Sequence, residues 1–218
     1  MSSFYPISLN LQDRLCVVVG AGEVAGRKVA GLINAGARVT AIAAEATEEL
    51  ARLARVGTIV WERRAYRAGD LAGARLAIAA TDDPEVNREV AREAEAANIP
   101  FNAVDDLKLS TFITPAVVAR GDLVIAVSTG GRSPSLARKV RERIDRDLSS
   151  EYAALLDIAA DVRAALFAQG VRPSAERWSE ALSDEALELA RVGDTVGARA
   201  RLVKTLVAEP TAAGKVSR

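Results

Sequence analysis

Several short runs in this chain combine residue types and spacings that can do chemistry. Gly20-Ala21-Gly22 leads into Glu23-Val24-Ala25, which is a G-x-G-x-x-A run. Thr81-Asp82 and Asn102-Ala103-Val104-Asp105-Asp106 each close an apolar stretch, and Ser128-Thr129-Gly130-Gly131-Arg132 forms a second glycine segment. In the first run, Gly20 suits a tight turn and Gly22 lets a pyrophosphate approach the main chain. The small Ala25 lets a following helix lie close, with its free N–H groups facing phosphates. The acids offer proton transfer, and Asp105, at the end of a buried run, is a site where desolvation could raise the pKa towards neutrality. Asp106 is the alternative, and a capping role for either is the plainer reading. The chain has no histidine, which removes the commonest general base and metal ligand together with every Ser-His or Cys-His nucleophile pair.

The elements needed to position these groups are legible around them. Residues 16–19, Cys-Val-Val-Val, are apolar and mostly β-branched, as a strand buried on both faces requires. A helix is predicted from Glu23 to Ala35 with Gly36 as its stop. A second strand follows over 38–43, a helix over 45–55, and strands over 58–61, 75–80 and 100–104. Asp83-Pro84 starts a helix to about Ala97. This alternation predicts an α/β fold, a Rossmann-like doubly wound parallel sheet whose site lies outside the carboxyl ends of the strands. There the Gly20 loop, Thr81-Asp82 and residues 102–105 converge. The acid that would hold an adenine ribose falls near Ala44-Glu45. A carboxylate in the first turn of a helix is the other reading of Glu45.

After residue 110 the pattern changes. Residues 112–119 and 123–128 flank Arg120-Gly121-Asp122 and read as a β-hairpin too small to be stable alone, so a second copy is its expected partner. Ser133 and Pro134 open a helix carrying Arg138, Lys139, Arg141, Arg143 and Arg146. That helix is either a solvated face or, through an N-terminus free behind the glycine loop, a site for carboxylates or phosphates. Residues 152–208 are helical by period, with Leu155, Leu156, Ala159, Val162 and Leu166 on one face and breaks at 170–174 and Gly193. The expected organisation is a nucleotide domain over 1–111, a dimerisation and cleft region over 112–148, a helical domain over 149–208, and a disordered tail over 209–218. Arg63 and Arg64 are expected on a solvated loop, and residues 7–14 as a lead-in strand and turn.

Lys plus Arg and Asp plus Glu number 29 each, so no global field draws the chain to nucleic acid or a membrane. The N-terminus lacks the charge and apolar run of a signal peptide, and a cytoplasmic protein is expected. The single cysteine, Cys16, excludes an intrachain disulfide and reads as a core residue.

The motifs resemble those of the precorrin-2 dehydrogenases, the NAD-dependent module of sirohaem synthase. The matching stretches are residues 19–28, 76–83 with Val86-Asn87, 101–105, 112–115, and 126–134 with Leu136 to Arg138. The resemblance implies oxidation of precorrin-2 to sirohydrochlorin with NAD, in some members with insertion of ferrous iron, in a homodimer with intertwined C-terminal parts. Because the chain stops at residue 218, the methyltransferase half of the fused enzymes is expected to be absent. It carries the family's key acid onto Asp105. The NAD loop falls on Gly20, Gly22, Glu23, Val24 and Ala25, with Ala44, Glu45, Thr81 and Asp82 beside the cofactor. Asn102, Arg120, Ser128, Thr129, Gly130, Gly131, Arg132 and Arg138 line the tetrapyrrole side. Some fused relatives carry a regulatory serine that would fall at Ser128 or Thr129. Without histidine or a cysteine cluster no standing metal site is expected, and iron would enter as a substrate. An NAD-sensing module without turnover is the rival from another class. A hydroxy-acid dehydrogenase is disfavoured because such enzymes usually use histidine or lysine as the acid/base.

Overall fold

The computed structural model describes residues 4–208, so the expected tail over 209–218 lies outside the described residues. Contacts divide the chain into two compact units, Met1–Thr114 with Gly130–Arg132, and Pro115–Thr129 with Ser133–Arg218.

The first unit is a five-stranded sheet in the order β3-β2-β1-β4-β5. Its strands are β1 (Leu15–Val19), β2 (Arg38–Ile42), β3 (Val60–Glu62), β4 (Leu76–Ala79) and β5 (Phe101–Ala103), and every pairing is parallel. Strand order reverses between β1 and β4, which creates the crevice where open α/β sheets bind ligands. Apolar residues on successive positions of β1 explain its central place. Cys16 and Val18 pack under α1 (Glu23–Asn34) and α2 (Glu48–Arg55), while Val17 and Val19 pack under α3 (Pro84–Ala96). Cys16 is fully buried, and burial pushes its thiol up to about 11, so it is a core residue.

Some expected boundaries move. Residues 7–10 form no strand and lead into a turn. The helix expected from residue 45 starts at Glu48, because Thr47 is its N-cap and accepts from the backbone N–H of Leu50. Glu45 therefore sits in the bend before the helix, and the first-turn reading of this residue falls.

In the second unit, β6 (Ala116–Arg120) and β7 (Leu123–Val127) form an antiparallel hairpin that packs with α4 (Pro134–Asp147). Helices α5 (Glu151–Ala168), α6 (Ala175–Ala181), α7 (Asp184–Arg191) and α8 (Thr195–Val207) surround a separate apolar cluster. The inward face of α5 is Leu155, Ile158, Val162 and Leu166. Leu156, expected inside, is exposed because positions 155, 158, 162 and 166 keep a 3–4 spacing that position 156 leaves. A further break at Ser183, whose hydroxyl caps α7, separates two helices where the sequence showed one continuous period. Among the described residues no helix is long and apolar enough to cross a membrane.

Candidate active site

Where β1 ends, the chain must turn sharply into α1, and Gly20 makes the turn at φ +106°. A Cβ there would lie 2.3 Å from the carbonyl oxygen of Ala80, which the β1–β4 pairing fixes in place. Gly22 is different. It is the N-cap of α1, offers no side-chain cap, and a Cβ on it would meet nothing within 4 Å. The first N–H groups of α1 therefore face open space, as a helix terminus that receives a phosphate should.

These residues line a cleft of about 470 Å³, the size of a small-molecule site. Gly20, Gly22, Glu23, Val24, Ala44, Glu45, Thr81 and Asp82 all lie on it, whereas Ala25 is buried on the sheet-facing side of α1 and lets the helix close on the sheet. The loop after β4 is rigid by its own bonding: Thr81 Oγ1 donates to Asn87 Oδ1 (2.8 Å) and Asn87 Nδ2 donates back to the Thr81 carbonyl (3.0 Å). An open diphosphate cradle, a free helix N-terminus and an acid, Glu45, at the end of β2 fit a dinucleotide.

One strand further along, the chain leaves β5 at Asp105, a non-glycine residue with φ +62°. The following turn separates the two acids. Asp106 Oδ1 accepts from the backbone N–H groups of Lys108 (3.0 Å) and Leu109 (3.3 Å), so Asp106 is a turn cap. Asp105 is exposed rather than desolvated, contrary to expectation, because the turn swings it out past the strand end. Among the described residues its carboxylate makes no hydrogen bond or ion pair. Asn102 is inside the unit instead of on a ligand surface. Its Nδ2 donates to the Phe112 carbonyl (3.0 Å) and to Ser110 Oγ (3.3 Å), tying the returning chain to β5.

The second glycine segment does not repeat the first. Ser133 Oγ accepts from Leu136 N–H (3.3 Å), Pro134 has no N–H, and Thr129 Oγ1 both accepts from Ser133 N–H and donates to its carbonyl (3.1 Å each). The start of α4 thus carries a side-chain cap and offers fewer N–H groups to an anion than the start of α1. Gly130 and Gly131 adopt φ +61° and +77°, and Gly131 lies against Leu107, two residues from Asp105. The cations of α4 are largely neutralised along the helix. Arg141 pairs with Asp145 and Glu142, Arg143 with Asp147, and Arg138 with Glu142. Arg120 is committed as well, donating to Asp145 Oδ1 (2.8 Å) and to the carbonyls of Asp145 and Ala119. Arg132 is exposed and has no carboxylate within 4.0 Å among the described residues. Ser128 is exposed on the same stretch.

Comparison with known proteins agrees with this geometry. The family described as "Putative NAD(P)-binding" matches residues 7–116, half of the chain. The chain belongs to this family. Residues 120–146 match the sirohaem biosynthesis protein central family. Among curated relatives, the siroheme synthase of Methylococcus capsulatus is 44% identical over 192 residues, covering 87% of this chain and 40% of its own length. That of Chromobacterium violaceum is 40% identical over 207 residues, 94% of this chain and 44% of its own. The chain spans less than half the length of these relatives. A solved precorrin-2 dehydrogenase, SirC, shares the fold with a TM-score of 0.71 at 23% identity, over 92% of this chain and all of its own.

Within this NAD(P)-binding chain, the far wall of the cleft was not foreseen from sequence. Ala65, Tyr66 and Val86 line it. Tyr66 is fixed because its hydroxyl donates to Glu93, and burial together with that bond pushes its pKa well above the tyrosine range. Glu93 also accepts from the backbone N–H groups of Gly69 (2.9 Å) and Leu71 (2.8 Å). Arg64, expected on a solvated loop, instead grips both oxygens of Asp70 (2.7 and 2.9 Å) and holds its carboxyl below the usual range, while Arg63 lies over the Trp61 ring. Only the long-range pairing with α3 reveals this platform, since residues 63–74 carry no local motif.

Proposed function

We propose that this protein oxidises the reduced tetrapyrrole precorrin-2 to sirohydrochlorin with NAD. The observation that carries the reading is Asp105, an uncommitted carboxylate at the carboxyl edge of the sheet, one strand from the open dinucleotide cradle, in a chain whose relatives are siroheme synthases. Two hydrogens leave the macrocycle, one as hydride and one as a proton. Bound NAD supplies the hydride acceptor. The pyrophosphate would rest on Gly20–Gly22 and the N-terminus of α1, and Glu45 would take the ribose hydroxyls. Asp105 accepts the proton; Asp106 is the less suited of the two, because its Oδ1 already holds the turn. Preference for NAD over NADP follows from charge. Glu45 would repel a 2′-phosphate, and Arg64 is engaged with Asp70.

The substrate is a polycarboxylate, and Arg132, with its guanidinium unpaired, is suited to grip one arm through both oxygens. Homodimerisation is supported by the hairpin. Val117, Ala119, Val124 and Ala126 share one face, all four are exposed, and none is polar. If the protein also inserts ferrous iron as a second substrate, Asp105 is the group placed to accept the released macrocycle protons.

The test is anaerobic mixing with precorrin-2 and NAD, which is expected to yield NADH and the sirohydrochlorin spectrum. Asp105→Asn should lose about a hundredfold or more in kcat while keeping NAD affinity. A folded wild-type protein that binds NAD and converts nothing would favour the sensing module instead.

A further inference from the structure

The amine of Lys28 has no part in the dinucleotide cleft, yet its setting is specific. Lys28 sits in the second turn of α1, between Ala25 and Val29, which face the sheet. The chain returning from β5 packs against the same apolar cluster through Val104 and Phe112. This brings Thr114 to Lys28, and Lys28 Nζ donates to Thr114 Oγ1 at 2.6 Å. An ammonium has three donors and no acceptor, so two N–H groups remain. Burial and the adjacent Arg27 both push the amine below its ordinary pKa, and the opposing pull comes from Asp105. Among the described residues no carboxylate lies within 4.0 Å of it. A cation that is partly desolvated, oriented by one hydrogen bond and left without a counter-ion is an anion-binding group in waiting, because an anion would restore the solvation it has lost.

We propose that Lys28, oriented by Thr114, is a substrate anchor that takes one carboxylate arm of the macrocycle within the field of Asp105. The identity of the arm rests on the tetrapyrrole reading above. The arm and Asp105 are both anionic, so the ammonium also offsets their repulsion, leaving the macrocycle free to approach the acid that receives its proton. Lys28 therefore acts on substrate binding, whereas Asp105 acts on the chemical step.

The experiment compares wild type, Lys28→Met and Lys28→Arg as the full chain, measuring NAD affinity, sirohydrochlorin affinity by anaerobic titration, and KM and kcat for precorrin-2. Lys28→Met should weaken tetrapyrrole binding and raise KM by about ten- to a hundredfold, the value of a charge-assisted bond. NAD affinity should be unchanged, and kcat should fall far less than KM rises. Lys28→Arg should recover most of the loss. Thr114→Val, which leaves the charge but frees it, should show a smaller rise in KM. A Lys28→Met protein that binds NAD normally and shows unaltered tetrapyrrole affinity overturns the proposal alone. A wild-type protein that neither binds nor converts the tetrapyrrole overturns the function reading, and this inference with it.

Discussion

The two glycine segments make an informative pair. Each places glycines just before a helix, and each looks in sequence like an anion cradle. At the first, Gly22 caps α1 with no side chain, and the space over it is open. At the second, Thr129 takes the Ser133 N–H, Pro134 has none to offer and Ser133 Oγ takes that of Leu136, so fewer donors are left at the start of α4. A glycine loop becomes a phosphate site only when the helix behind it is left uncapped. With glycine as its N-cap, α1 gives up only about a few tenths of a kcal/mol of cap stabilisation where the proposed cradle needs free N–H groups, and α4 keeps a side-chain cap.

The comparison can be broken by substitution. The largest effect is expected for Gly20→Ala. Its Cβ would press on the Ala80 carbonyl at a positive φ, costing about 3 kcal/mol or more, and thermal or urea unfolding should show a strongly destabilised or unfolded protein. Gly22→Ala is expected to separate folding from binding. At φ −78° and ψ −173° alanine fits without backbone strain, so stability should fall only by the poorer N-cap, about 1 kcal/mol or less. The methyl group would occupy the approach of the pyrophosphate, and NAD affinity should fall about tenfold or more by calorimetric titration. A Gly22→Ala protein with wild-type NAD affinity would remove the cradle from its assigned place. The smallest effect is expected for Ser133→Ala, a loss of about 1 kcal/mol in stability from the missing cap with NAD affinity unchanged. A Ser133→Ala variant of unaltered stability would mean that the second segment is less self-contained than its hydrogen bonds indicate.

The same contrast runs through the charged residues. Arg120, Arg138, Arg141 and Arg143 find carboxylates within their own unit, and such exposed pairs contribute little to stability while they neutralise the helix surface. Among the described residues Asp105, Lys28 and Arg132 do not find such partners. The proposed function and the proposed anchor draw on these three residues.

The sequence by itself determined the sheet and its cofactor end. Runs of apolar residues as dense as Cys16–Val19 and Leu76–Ala79 can only be central strands, and Gly20-x-Gly22 between a strand and a helix has a local backbone reason that needs no tertiary information. It also located the caps Asp83 and Ser133, because capping is decided within four residues. Differences between neighbours depend on tertiary structure. Asp105 and Asp106 are the same residue type at adjacent positions, both exposed, and a turn that bonds only Asp106 to Lys108 and Leu109 distinguishes them. Leu156 and Ile158 are equally apolar, and only the packing of α6, α7 and α8 shows which is covered. Tyr66, Glu93 and the Arg64–Asp70 pair build a wall of the cleft through bonds spanning up to 27 residues. Lys28 and Thr114 meet across 86. Separations of that kind leave no periodic or local trace in the chain, because the interaction exists only once the sheet has brought its distant segments together.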